Sequence, residues 1–124
     1  MTEDEIIKKT PGELIELLYA RACQDLTGAL VFFREAKPEA QAQAIHLVVH
    51  AQQIVAEIQR STVKGTALAE NLNNLYSYCL ERMNKACLET DPAPAREVLG
   101  LLTELHEAWK ILLEKHKNAG AVQA

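Results

Sequence analysis

Two histidines and a run of amides are the residues of this chain whose types and spacing permit chemistry. His46 and His50 stand four residues apart. On a helix that spacing puts two imidazoles on one face, where they can share a metal ion. They fall opposite the apolar stripe of their segment, beside Gln53, Glu57 and Arg60, and so read as part of a solvated polar face. The segment His46-Leu47-Val48-Val49-His50 lacks the glutamate that a zinc-protease helix places after its first histidine. A di-iron bundle needs Glu-x-x-His pairs. The residues three before the histidines are Gln43, Leu47, Thr103 and Leu113, none acidic, which excludes that centre. No Gly-rich phosphate loop, nucleophile elbow or pair of inward carboxylates occurs. No catalytic residue, metal or cofactor is expected.

The amides lie in Ala69–Met83, AENLNNLYSYCLERM. At about 100° per residue, Leu68, Leu72, Tyr76, Cys79, Leu80, Met83 and Cys87 gather on one side as a core stripe. Asn71, Asn74, Tyr78, Arg82 and Lys85 gather roughly a third of a turn round. This second stripe is amide-rich and carries one aromatic, a composition suited to holding another molecule. Leu75 sits between the two stripes. Tyr and Arg are favoured at interfaces, so Tyr78 and Arg82 are candidates for partner contact. Tyr19, Tyr76 and Trp109 fall on core stripes and read as core.

Four helical segments must position these residues. The first spans about 11–36. Thr10 can cap it, Pro11 suits its first position and Glu13 completes a capping box. Its stripe is Ile15, Leu18, Tyr19, Ala22, Leu26, Ala29, Leu30 and Phe33, and Pro38 forces an end before it. The second spans about 39–62, with Ala44, Leu47, Val48, Ala51, Ile54, Val55 and Ile58 on its main stripe. Ile45 and Val49 lie on a shoulder of that stripe, so this helix is apolar over more than one face and is packed on two sides or meets a partner. Gly65 breaks the chain before a third helix at about 67–90. Asp91 and Pro92 then supply an N-cap and first position for a fourth at about 92–117, carrying Val98, Leu101, Leu102, Leu105, Trp109, Leu112 and His116. Residues 118–124 read as a frayed tail. Four such helices with short links predict one domain over 1–124, all-α, an antiparallel up-down four-helix bundle.

The 124 residues suit a single domain, and 48% apolar content is enough for a core. Net charge is −4 with no basic patch, which argues against nucleic acid as the main partner. No apolar run approaches the ~18 residues of a membrane span, and MTEDEIIKK lacks the order of a secretory signal. Cys23, Cys79 and Cys87 sit singly in helical patterns and read as reduced and structural. A cytoplasmic location and no membrane insertion are expected.

Several motifs carry a resemblance. Thr10-Pro11-x-x-Leu14-x-x-x-Leu18-Tyr19 is similar to the opening signature of the flagellin-specific export chaperones, the FliS type. Lys64-Gly65 followed by Ala69-Glu70-Asn71-Leu72-x-x-Leu75-Tyr76-x-Tyr78 resembles that family's third helix. Glu97-Val98 with Leu101, Leu102, Leu105 and Ala108-Trp109 resembles its last. The match covers about residues 10 to 113. Ala20-Arg21, Tyr76-Ser77-Tyr78, Gly65-Thr66 and the short non-aromatic N-terminus depart from the family pattern, so the resemblance is to a diverged member.

The resemblance implies a cytoplasmic four-helix bundle that is not an enzyme. Such a protein binds the disordered C-terminal segment of flagellin, prevents premature polymerisation and assists delivery to the flagellar type III export gate. The expected groove lies between the second and third helices, with Ile45, Val49, Asn71, Asn74, Leu75, Tyr78 and Arg82 lining it. Two alternatives stand beside this reading. A histidine phosphotransfer module would use His46 or His50, although neither is followed by the Lys and Gly that make room for a phosphoryl group. A helical adaptor would associate with itself through Ile45 and Val49.

Overall fold

The computed structural model describes residues 11–62 and 64–123, with side chains described through residue 116. It contains four α-helices in chain order: α1 (Pro11–Phe33), α2 (Pro38–Ser61), α3 (Ala67–Glu89) and α4 (Pro92–Gln123). Among the described residues there is no strand.

Each helix boundary has a local cause. The capping role of Thr10 lies outside the described residues, and Pro11 opens α1. That helix stops at Phe33, short of the expected residue 36. Arg34 and Glu35 donate to Val31 and Phe32 carbonyls three residues back, at 3.2 and 3.1 Å. The tightened turn satisfies carbonyls the helix would otherwise leave open. Gln41 completes the stop from the next helix: its Nε2 donates to Phe33 O at 3.1 Å and Glu35 O at 2.6 Å. Lys37 precedes proline and is extended, with φ −99° and ψ 139°, and α2 begins at Pro38 itself.

Thr66 caps α3 by accepting from Ala69 N at 3.0 Å. Thr90 ends α3 in the left-handed region at φ 50°, and Asp91 Oδ1 accepts from Ala93 N at 3.0 Å to start α4. The tail expected to fray from residue 118 instead continues α4 to Gln123. No proline interrupts that stretch, and Asn118 and Gly120, residue types that often end helices, lie within it without ending it.

Packing joins α1 to α2, α2 to α3, α3 to α4 and α4 back to α1. The pairing direction is antiparallel at each seam. Along α1 and α4, Gly12 meets Trp109, Glu16 meets His106 and Cys23 meets Thr103. Along α2 and α3, Gln59 reaches Asn73 and Gln52 reaches Leu80. The bundle is therefore up-down, with α1 and α3 on one diagonal.

Small residues let the helices approach. Ala22, Ala29, Ala44, Ala51, Ala86 and Ala95 have no exposed surface. Between them lie Leu26, Met83, Val48, Val98 and Leu102, also fully buried. Each such large side chain contributes about 1.5–3 kcal/mol of burial. Cys79 is buried, Cys23 and Cys87 are half-buried, and all three are free thiols. Burial pushes the Cys79 thiol up to about 11.

Candidate functional site

The core stops short of one end of the bundle. There, where α1 and α3 begin, α2 ends and α4 passes, an open cavity of about 510 Å³ remains. Ile15 and Tyr19 of α1, Leu68, Leu72 and Tyr76 of α3, and Leu105, Ala108, Trp109 and Leu112 of α4 line it. Ile58, Ser61 and Thr62 close it from the end of α2. Leu68 is 68% exposed and Leu112 is 58% exposed. Both belong to stripes that the sequence assigned to the core, and His116 on the same α4 stripe is also exposed. A stripe shows only which way a residue faces. Here the facing helices stand apart, so the inward leucines rim an opening.

Hydrogen bonds hold the cavity's shape from behind. The hydroxyls of Tyr19 and Tyr76 bond to each other across the interior. His106 stacks on the Tyr19 ring, with centroids 6.1 Å apart, and its Nε2 donates to Glu16 Oε1 at 2.9 Å. Trp109 Nε1 donates to Gly12 O at 2.9 Å. A Cβ at Gly12 would stand 2.8 Å from Leu113 Cδ2, so glycine lets α1 sit this close to α4. Burial raises the pKa of Tyr19 and of Tyr76, and the bond to Tyr76 raises that of Tyr19 further. Both phenols stay neutral, which suits an apolar cavity.

The seven residues expected to bind a partner do not share one groove. Tyr78 Oη donates to Glu97 Oε2 and Arg82 Nε donates to Glu97 Oε1, each at 2.6 Å. These two side chains therefore face α4. Asn71 stands one heptad before Tyr78 and Leu75 one heptad before Arg82, which puts both on the same edge of α3. Asn74 is exposed. Ile45 stands one heptad before Gln52, which bonds to Leu80 of α3, so it lies on the opposite seam. Val49, 39% exposed, is on the outer surface of α2.

That second seam is bridged by polar side chains. Gln59 Nε2 donates to Asn73 O at 3.0 Å and to Ser77 Oγ at 2.9 Å. The open space is instead bounded by α1, α3 and α4 with the end of α2, and none of the seven residues lines it. Tyr78 and Arg82 are brought together by Glu97, which was legible only as part of the Glu97-Val98 motif. The carboxylate of Glu97 is held below its usual range by the bonds from Tyr78 and Arg82. That same carboxylate raises the pKa of both partners.

The two histidines also part company. His46 is exposed. His50 Nδ1 donates to Asp25 Oδ2 at 2.5 Å, and Asp25 is only 5% exposed. Arg21 Nε lies 3.7 Å from the other carboxylate oxygen. One imidazole of the pair is thus committed to fastening α2 to α1. Among the described residues no three His, Cys, Asp or Glu side chains gather to hold a metal ion. Likewise, no described helix is long and apolar enough to cross a membrane.

The fold and the site together define an all-α four-helix bundle with an apolar opening at one end. Comparison with known proteins gives the family. The family model for the flagellar protein FliS matches residues 1–116, and the chain belongs to that family. The flagellar secretion chaperone FliS of Salmonella typhimurium is 33% identical over 117 residues, 91% of this chain and 84% of that protein. That of Bacillus subtilis is 26% identical over 125 residues, 94% of this chain and 85% of that protein. That of Escherichia coli is 21% identical over 108 residues.

Proposed function

We propose that this chain is a cytoplasmic export chaperone that masks the disordered C-terminal segment of flagellin. It prevents premature polymerisation and assists delivery to the flagellar type III export apparatus. It acts by stoichiometric binding rather than catalysis. The family assignment supports the role, and the open apolar cavity carries the reading structurally.

The cavity walls are helices whose backbone groups are bonded within the helix, so they offer no edge for a client strand. The suited guest is a short helix presenting apolar side chains on one face. A cavity of ~150 Å³ holds a benzene ring. The 510 Å³ here therefore accommodates several anchors from successive helical turns. The α4-facing edge of α3 continues from the cavity along the α3–α4 seam, where Tyr78 and Arg82 are tied to Glu97. Asn71 and Leu75 on that edge extend the client surface, the amide serving client backbone that leaves water. Ordering the client offsets part of the contact energy, which keeps release accessible.

Leu68 and Leu112 provide the test, because both rim the mouth and are mostly exposed. Leu68→Asp and Leu112→Asp are each expected to weaken binding of a flagellin C-terminal peptide by about 1–3 kcal/mol. Chain stability should change by no more than about 0.5 kcal/mol. Calorimetric titration and urea unfolding measure the two quantities. Unaltered affinity in the doubly substituted chain would place the client elsewhere.

A further inference from the structure

The cavity lies on the α3–α4 seam, and that seam is closed at one end and open at the other. It begins at the tight turn of Thr90 and Asp91. Next come the fully buried Ala95 and Val98 of α4 and Met83 and Ala86 of α3. Glu97 then ties the helices together, accepting from Tyr78 and Arg82 on its two oxygens at 2.6 Å each. Tyr78 and Arg82 stand one turn apart on α3, so one carboxylate grips two successive turns. Half-buried Leu75 and Leu101 follow. Beyond them α3 and α4 separate, and Leu68 and Leu72 face Leu105, Ala108 and Leu112 across the cavity.

We infer that Glu97, gripping Tyr78 and Arg82, is a positioning residue that sets the width of the cavity mouth. The inference rests on the cavity being the client site. A lone surface ion pair contributes little. This one differs in geometry, because two donors from adjacent turns fix the direction of the carboxylate. The angle at which α4 leaves α3 is then held at a point about 18 Å above Trp109 along the helix, twelve residues at 1.5 Å each. Releasing the grip lets the two helices hinge at Thr90–Asp91. The mouth, farthest from the hinge, moves most. No contact between Glu97 and the client is required.

Trp109 is the sole tryptophan of the chain and stands on the cavity wall, so it reports the mouth without a client. Glu97→Ala is expected to red-shift Trp109 emission and raise its quenching by acrylamide. It should also weaken flagellin-peptide binding roughly two- to thirtyfold, the size of coupling carried between non-contacting sites. Combining Arg82→Glu with Glu97→Arg should restore both readouts. His46→Ala, at an exposed position near the other end of α2, should alter neither. If Glu97→Ala fails to fold, Tyr78→Phe removes one of the two bonds and carries the same expectation at smaller size. Trp109 quenching and affinity that both match the parent chain would overturn the inference. A quenching shift in a chain whose parent binds no flagellin peptide would support the control of the mouth and overturn the function proposed above.

Discussion

The hydroxyls of Tyr19 and Tyr76 bond to one another across the diagonal of the bundle, joining α1 to α3. Both rings line the cavity, and both are nearly inaccessible, at 3% and 2% exposure. The pair forms the boundary between the packed interior and the open end. On its inner side lie Leu26, Cys79 and Leu102, fully buried. On its outer side lie Leu68, Leu72 and Leu112, which rim the cavity.

Removing the Tyr76 hydroxyl leaves that of Tyr19 without its partner in an apolar setting, whereas removing that of Tyr19 leaves Tyr76 with only its bond to Thr62. Tyr19→Phe or Tyr76→Phe alone is expected to cost about 1–3 kcal/mol, and the double substitution less than the sum. Urea unfolding of the four chains of this cycle gives the coupling. Simple additivity would show that the two hydroxyls act independently.

The same burial makes the fold sensitive to alkali. A phenol ordinarily ionises near pH 10, and Tyr19 and Tyr76 are both raised above that value in the folded chain. The folded state therefore keeps protons that the unfolded state releases, and stability falls as pH rises. Their contribution is complete below pH ~10 and is lost above it. The Cys79 thiol, pushed from 9.0 up to about 11, adds the same sign over that lower window. Absorbance at 295 nm and circular dichroism, followed together, should show these tyrosines ionising only as helicity is lost. Ionisation of all three tyrosines near pH 10 with helicity intact would contradict the burial argument.

His46 and His50 should differ sharply on truncation. His50→Ala strips Asp25 Oδ2 of its donor, and Asp25 is buried with only Arg21 nearby at 3.7 Å. A loss of about 1–3 kcal/mol is expected from the unpaired acceptor. His46→Ala, at an exposed position, should stay within about 0.5 kcal/mol. Equal effects in urea unfolding would mean that the Asp25–His50 bond does not hold α1 to α2.

Much of the fold was legible because helix boundaries are local. Pro11, Asp91 and Pro92 stand where the helices begin, since free amides and fixed φ values act within one turn. The core stripes were legible where they pack against another layer, as at Leu26, Val48, Met83 and Val98. The end of α1 at Phe33 was not, because Gln41 of the next helix helps to set it. The candidate site was less legible still. Periodicity placed Asn71, Leu75, Tyr78 and Arg82 on one edge of α3, and the structure turns that edge towards α4 rather than α2.

The order and period of apolar residues by themselves determined four helices, their approximate limits and an up-down bundle, because these depend on neighbours within a few residues and on short links. Tertiary structure alone decided that Leu68 and Leu112 rim an opening while Val98 and Leu102, on the same stripe as Leu112, are sealed. It alone paired Tyr19 with Tyr76, Tyr78 with Glu97 and Asp25 with His50. A helical stripe specifies a direction; whether that direction meets a partner or open space depends on the distance between helices, which is set jointly by residues remote in the chain.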